Sequence, residues 1–358
     1  MRRDLKLLLA ALIAGQPAAA DSPGARQTNR FAVHKSYVAA SMDFTLASPS
    51  GVGCASLSAC ISDTRSGANA TYIDASGVLH TGVAANTPRI DCSIGACGLL
   101  NEGASTNLLE YSANIGGTDW AAVGGGFAAP TVTANSAAAP DGTTTATKLA
   151  FPSTVGLVNS SQNSIVYQAA VAVSASTTYT LSTFQKGASG GEQYYVFFTM
   201  ATSPYSILAQ ALPTLTTGFV RHSASGATGA NTSLNILYGF DGVPGTLTQT
   251  GAAASTSYVW GAQLEAQAFA SSLIPTNGAA AARAADSMSA QNALAAALAA
   301  GPSLVDICDE AAKTCSRAQY AAGAFSWTPW KTFTKICVYR PTVPAAYLAA
   351  HGGFGAPC

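Results

Sequence analysis

The sequence predicts a mostly β protein, an antiparallel β-sandwich preceded by a β-rich N-terminal lead-in segment and followed by a small cysteine-rich C-terminal unit. Three observations predict it. Between residues 108 and 286, strand-length runs alternate apolar and polar residues, and Gly, Ser, Asn and Pro clusters separate them. Residues 41 to 107 carry shorter strands with turn chemistry. Cysteines occur on both sides of the alternating region and nowhere within it.

The alternation is specific enough to assign faces. Side chains of a strand point to opposite sides with period two, so each run offers one apolar face. Tyr179, Leu181 and Thr183 share a face of one strand, and Leu234, Ile236, Tyr238 and Phe240 share a face of another. Tyr258, Trp260, Ala262 and Leu264 are expected to do the same. Several half-apolar strands must bury those faces sheet on sheet, and a jelly roll is the expected form. Earlier in the chain, Thr71-Tyr72-Ile73-Asp74, the turn at Ala75-Ser76-Gly77 and Val78-Leu79-His80-Thr81 predict a hairpin. The run from Gln291 to Ala300 predicts a helix, capped by Ser287 or Ser289 and stopped by Gly301-Pro302, that links the sandwich to residues 303–358. The expected organisation is 1–40 signal-like or anchoring segment and linker, 41–107 lead-in, 108–286 sandwich, 287–302 linker helix and 303–358 C-terminal unit.

Composition excludes several functions. Charged residues make up 9% of the 358, and Lys+Arg equals Asp+Glu at 17 each. A nucleic-acid partner calls for a basic footprint, which is missing. No strongly apolar run of membrane-spanning length follows the N-terminus. Arg2, Arg3 and Lys6, the apolar run Leu7 to Ala14 and Ala18-Ala19-Ala20 read either as a cleaved signal peptide or as an anchoring N-terminal helix. Near-zero net charge suits a part of an assembly.

The eight cysteines sit in close couples: Cys54 and Cys60, Cys92 and Cys97, Cys308 and Cys315, Cys337 and Cys358. Disulfides within each couple are expected, at a particle surface or outside the cell. Zinc is the rival, but there is no C-x-x-C spacing and His34, His80, His222 and His351 are scattered. No metal or cofactor is expected. Asp141-Gly142 and Asp241-Gly242 are the places a structural calcium would sit, with a plain Asp-Gly turn as the leading reading.

Two stretches resemble a known family. The first contains Arg65, Ala70-Thr71-Tyr72, Gly98-Leu99-Leu100-Asn101-Glu102 and Thr106-Asn107-Leu108. The second contains Trp260-Gly261-Ala262-Gln263-Leu264-Glu265, Ser272-Leu273-Ile274-Pro275-Thr276 and Arg283-Ala284-Ala285-Asp286, with Leu273 where the family has Tyr. Together they resemble bacteriophage and prophage head-spike or tail-fibre proteins, over roughly residues 43 to 286. The resemblance implies a jelly roll similar to carbohydrate-binding modules, held in trimers or higher oligomers. It also implies other virion proteins and host-surface carbohydrate as partners, and a place on the virion surface. A secreted glycan-binding protein is the alternative, and a glycan depolymerase a more distant one.

Sugar recognition uses aromatic faces beside polar groups. Tyr194 and Tyr195, with Glu192 and Gln193 as polar neighbours, are the first candidates, although alternation sends one of the two tyrosines to the core. Trp327 and Trp330 in the C-terminal unit are the second. Trp120 and Trp260 read as structural. No catalytic residue is assigned. Glu102, Glu110, Glu192, Asp241 and Glu265 are the carboxylates a glycosidase would draw on. Glu102 and Glu265 lie in architectural motifs, where hydrogen bonding to backbone is the default. No nucleophile turn of the G-x-S-x-G type is present.

Overall fold

The computed structural model describes residues 38–44, 50–51, 53–93, 97–117, 119–157, 161–203, 205–242, 251–300, 303–309, 313–320, 331–340, 343, 345 and 348. The signal-like start, His34, Trp327, Trp330, His351 and Cys358 lie outside the described residues.

The lead-in contains β1 (Val38–Asp43), α1 (Leu57–Cys60), β2 (Ile61–Asp63), β3 (Ala70–Ile73), β4 (Leu79–Val83), β5 (Arg89–Asp91), β6 (Gly98–Asn101) and β7 (Ser105–Asn107). The central strands are β8 (Ala121–Gly125), β9 (Thr131–Ala137), β10 (Ala146–Phe151), β11 (Asn163–Ala172) and β12 (Thr178–Gly187). They continue with β13 (Tyr195–Met200), β14 (Ile207–Ala211), β15 (Val220–Ala227), β16 (Ser233–Asp241) and β17 (Ser255–Glu265). Then follow β18 (Ala281–Arg283), β19 (Met288–Ala290), α2 (Asn292–Ala299), β20 (Ser303–Asp309), β21 (Thr314–Tyr320) and β22 (Lys331–Tyr339).

The central strands form two five-stranded antiparallel sheets, ordered β14-β13-β16-β11-β8 and β15-β12-β17-β10-β9. From β10 on, most connections cross from one sheet to the other, as in a jelly roll. The core between the sheets takes Val166, Tyr194, Phe198, Ile236, Tyr238 and Phe240 from the first sheet. Leu149, Tyr179, Leu181, Val259 and Leu264 come from the second. Burying each such side chain contributes about 1.5–3 kcal/mol, so this interface is the main source of cohesion. The face assigned to Leu234, Ile236, Tyr238 and Phe240 is the inner one.

The face assigned to β17 is corrected. Ala262 and Leu264 point inward, but Trp260 points outward with Phe184, Leu79 and Leu273. Ser182 pairs with Gln263 while Phe184 pairs with Trp260, so Thr183 stands against two residues, Gly261 and Ala262. That is a β-bulge, and it reverses the face of everything before it. Gly261 takes φ +69°, which a side chain would resist.

The hairpin of β3 and β4 forms as expected. Asp74 Oδ1 accepts from the amides of Ser76 and Val78, and Gly77 takes φ +81°.

The C-terminal strands share a sheet with the lead-in, ordered β21-β20-β22-β6-β5. One edge of β22 pairs with β20, and the other is divided between β6 and β1. Helix α2 packs Leu294 and Leu298 into the same core as Met42, Phe44, Val305 and Ile336. It therefore helps close the core that the C-terminal strands share with the lead-in. Its cap also differs from expectation. Gln291 is the N-cap residue and makes no side-chain cap bond. Ser289 lies in β19, paired to β2, with its hydroxyl 2.6 Å from that of Ser62. A strand partner claimed the serine before the helix could.

Cys54–Cys60, Cys92–Cys97 and Cys308–Cys315 are disulfides. Cys337 is disulfide-bonded as well. In the chain-entropy account a loop as short as Cys54–Cys60 contributes roughly 2.4 kcal/mol. Among the described residues no helix is long and apolar enough to cross a membrane.

Candidate functional site

The family-like motifs converge on a buried ion cluster where the lead-in crosses the sandwich. Arg65, Arg89 and Arg283 are each at most 2% exposed. Glu102 Oε2 lies 2.9 Å from Arg89 Nη1 and 3.1 Å from Arg283 Nη1, and Asp286 Oδ2 lies 2.6 Å from Arg89 Nη2. Ser272 donates its amide and hydroxyl to the two oxygens of Glu102, and the Glu102 amide donates to Asp286. Burial raises the Glu102 pKa, but the charges of Arg283 and Arg89 and the Ser272 hydrogen bonds outweigh it and hold the carboxyl below its ordinary value. For Asp286, burial prevails over Arg89 and the carboxyl is raised.

Glu265 accepts from the hydroxyls of Ser105 and Ser271, the amide of Ser271 and the side chains of Gln263 and Gln267. Asn107 uses its whole side chain: Nδ2 donates to the carbonyls of Ala262 and Ile274, and Oδ1 accepts from the amides of Leu109 and Leu264. These groups spend their hydrogen-bonding capacity on the protein. The cluster is a clamp, and Glu102 and Glu265 are parts of it.

A different place is open to a ligand. At one end of the sandwich a cleft of about 830 Å³ lies between the β12–β13 loop, residues 188–193, and residues 251–256 entering β17. Phe151 and Leu212 add apolar surface. The volume is within the range of ligand sites. Gly190 and Gly191 take φ +81° and +89°, so the loop turns sharply and leaves its backbone open to the cleft. Its side-chain chemistry comes from Glu192, Gln193, Ser189, Ser255 and Thr256. Glu192 Oε1 accepts from the Ser189 amide at 2.7 Å. Glu192 Oε2 is buried over Gly187, where any Cβ would overlap it, and has no hydrogen-bond partner among the described residues. Gln193 Nε2 donates to Thr214 Oγ1 at 2.7 Å.

Of the residues singled out from sequence, the structure therefore brings Glu192 and Gln193 to one cleft. It does not bring Tyr194 or Tyr195 there. Tyr194 is fully buried between the sheets, its ring 5.2 Å from that of Phe151, and burial raises its hydroxyl pKa. Tyr195 is 2% exposed on the outer side of its sheet, with Ile165, Phe197 and Leu237. Both sides of β13 are covered, so alternation leaves neither tyrosine ring open. Trp120 packs on Tyr238 in the core, and Trp260 donates from Nε1 to Thr145 Oγ1 beneath the lead-in.

Sequence reasoning missed Ser255 and Thr256. Their polarity at the start of β17 was the available signal. A second carboxylate is not among the described residues of the cleft. Asp141 Oδ1 accepts from the amide and hydroxyl of Thr143, closing an Asp-Gly turn. The described residues hold no group of three or more His, Cys, Asp or Glu arranged for a metal ion.

Fold and cleft together define a jelly-roll β-sandwich with an end-on polar cleft. No protein-family model matches the chain, and no curated protein matches it. Solved structures match in part. The N-terminal cellulose-binding domain of Cellulomonas fimi β-1,4-glucanase C shares 17% identity at TM-score 0.30, over 46% of this chain and 99% of that one. The family 11 carbohydrate-binding module of Clostridium thermocellum shares 9% at TM-score 0.31, over 49% and 98%. The enzymatically active domain of bacteriophage CBA120 tailspike protein 4 shares 11% at TM-score 0.32, over 44% and 21%. At TM-scores this low the site is read from its own residues.

Proposed function

We propose that the chain is a non-catalytic glycan-binding protein that holds sugar in the cleft between residues 188–193 and 251–256. The observation that carries this reading is the chemistry of that cleft. A carboxylate, an amide and several hydroxyls stand among Gly and Ala, a surface able to exchange hydrogen bonds with a polyhydroxylated ligand. Glu192→Ala with Gln193→Ala is expected to weaken binding of a glycan found on an array about tenfold, the worth of two hydrogen bonds. The melting temperature should stay unchanged, and no new reducing ends should appear. Full affinity in the double variant would remove the cleft from the reading, and new reducing ends would favour a depolymerase.

The motif resemblance supports a finer proposal. In it the chain is a spike, fibre or decoration protein on the surface of a phage-like particle, touching other virion proteins and host glycan. Single sugar sites are weak, and several copies acting together offset that. Light scattering of the purified protein is then expected to give a trimer or larger. A stable monomer would sink the particle reading and leave the secreted glycan-binding protein standing.

A further inference from the structure

Residues 36 to 312 contain two lysines, Lys148 and Lys186, and the fold sets them side by side around one aromatic ring. Tyr258 of β17 pairs with Lys148 of β10 on one side and with Lys186 of β12 on the other. Directly paired residues present their side chains on the same face of a sheet. Lys186 Nζ stands 5.0 Å from the centre of the Tyr258 ring and 4.9 Å from that of Phe219, which directly precedes β15. The result is a row across four adjacent strands, Lys148–Tyr258–Lys186–Phe219, on the outer face of the sheet. All four side chains are half-buried. The two lysine backbones are two strand spacings apart, on the order of 10 Å.

The row is cationic and unneutralised. Among the described residues neither ammonium has an ion-pair partner. Strands β10, β12, β15 and β17 hold one carboxylate between them, Glu265, at the far end of β17 and engaged by Ser105 and Ser271. Glu192 packs on Gly187, which alternates with Lys186 and so belongs to the opposite face. Arg221, the nearest arginine on this face, turns away to Ser182 Oγ and the Ser271 carbonyl. One step along β17, on the same face as Tyr258, lies Thr256. Thr256 and its partner Ala150 line the cleft. The cleft therefore adjoins the row at Thr256 and Ala150.

We propose that this row makes the protein a receptor for acidic glycans that carry sugar carboxylates, with Lys148 and Lys186 as the carboxylate partners and the Tyr258 and Phe219 rings holding the Lys186 ammonium in place. A uronic acid suits it, because its carboxylate projects from the ring edge and leaves the sugar hydroxyls free for the polar groups of the adjoining cleft. The carboxylate reaches the ammonium groups on either side of Tyr258. The proposal rests on the glycan-binding reading and names the ligand class of that surface.

The test titrates the full chain with polygalacturonate oligosaccharides and with the same oligosaccharides fully methyl-esterified, which keeps the rings and removes the charge. The acidic form is expected to bind at least about tenfold more tightly at low salt, with the preference shrinking at high salt. Lys148→Gln with Lys186→Gln should erase the preference and leave the melting temperature unchanged. Equal affinity for both forms, no binding of the acidic form, or a preference that survives the double substitution overturns the proposal. If the ester still binds and loses affinity in the Glu192→Ala/Gln193→Ala variant, the glycan-binding reading stands without the acidic class.

Discussion

Arg89→Met is expected to destabilise the protein by about 3–5 kcal/mol, the range for removing one partner from a buried ion pair. Arg89 is 1% exposed and joins segments distant in sequence. Nη1 donates to the Thr71 carbonyl and the Ser272 hydroxyl and meets Glu102, while Nη2 meets Asp286. Removing it leaves Glu102 with Arg283 alone and leaves Asp286 a buried carboxylate short of its nearest cation. Replacing the whole cluster by apolar groups would cost far less, since desolvation of the charges nearly cancels their attraction. The large effect belongs to the half-removed state. Urea unfolding should show a lower midpoint with an unchanged slope, and a change under about 1 kcal/mol would mean the clamp is not one.

The same cluster fixes a pH response. The folded pKa of Glu102 is depressed, so its contribution is present above the unfolded value, near 4.3, and is lost as pH falls through the folded value. Asp286 has the opposite sign. Its folded pKa is raised, so its ionised form costs stability near neutrality, and that cost is relieved as pH falls through the raised value. Acid destabilisation by Glu102 should therefore set in as pH falls through the usual carboxylate range and be completed below it. Glu102→Gln should flatten that acid limb of a melting-temperature profile.

The legible part of the fold was the part governed by local alternation. Leu234 to Phe240 could be assigned to the core because nothing interrupts period two along β16. The couples Cys54–Cys60, Cys92–Cys97 and Cys308–Cys315 were legible because a few residues of chain hold each together. What could not be read depends on partners distant in sequence. The β1 to β22 pairing joins residues nearly 300 apart, so the shared sheet of lead-in and C-terminal unit left no local trace. Ser289 looked like a helix cap until Ser62 claimed it. At the cleft, the polarity of Glu192 and Gln193 was visible, but the closure of both sides of β13 over the tyrosines was not. The row around Tyr258 was hidden for the same reason, because its members come from different strands.

The sharpest test of that distinction is the bulge in β17. Deleting Gly261 is expected to leave the sandwich folded. Strict alternation would then run from Tyr258 to Leu264 with every side chain on its present face: Tyr258 and Trp260 outward, Val259, Ala262 and Leu264 inward. Thr183 would stand opposite Ala262 alone, and the ladder with β12 would continue without a bulge. Gly261→Val keeps the residue count but meets two penalties. A side chain at φ +69° costs roughly 1–2 kcal/mol. The Cβ would also stand 2.9 Å from the Phe184 ring and 3.5 Å from Leu273, overpacking worth about 1–3 kcal/mol more. The substitution should therefore cost about 2–5 kcal/mol, and Gly261→Ala less. Circular dichroism of the deletion variant decides the larger point. A native β spectrum is the expected result, and a lost β spectrum or an abolished melting transition would show that the bulge itself is needed to hold Tyr258 and Trp260 on the outer face.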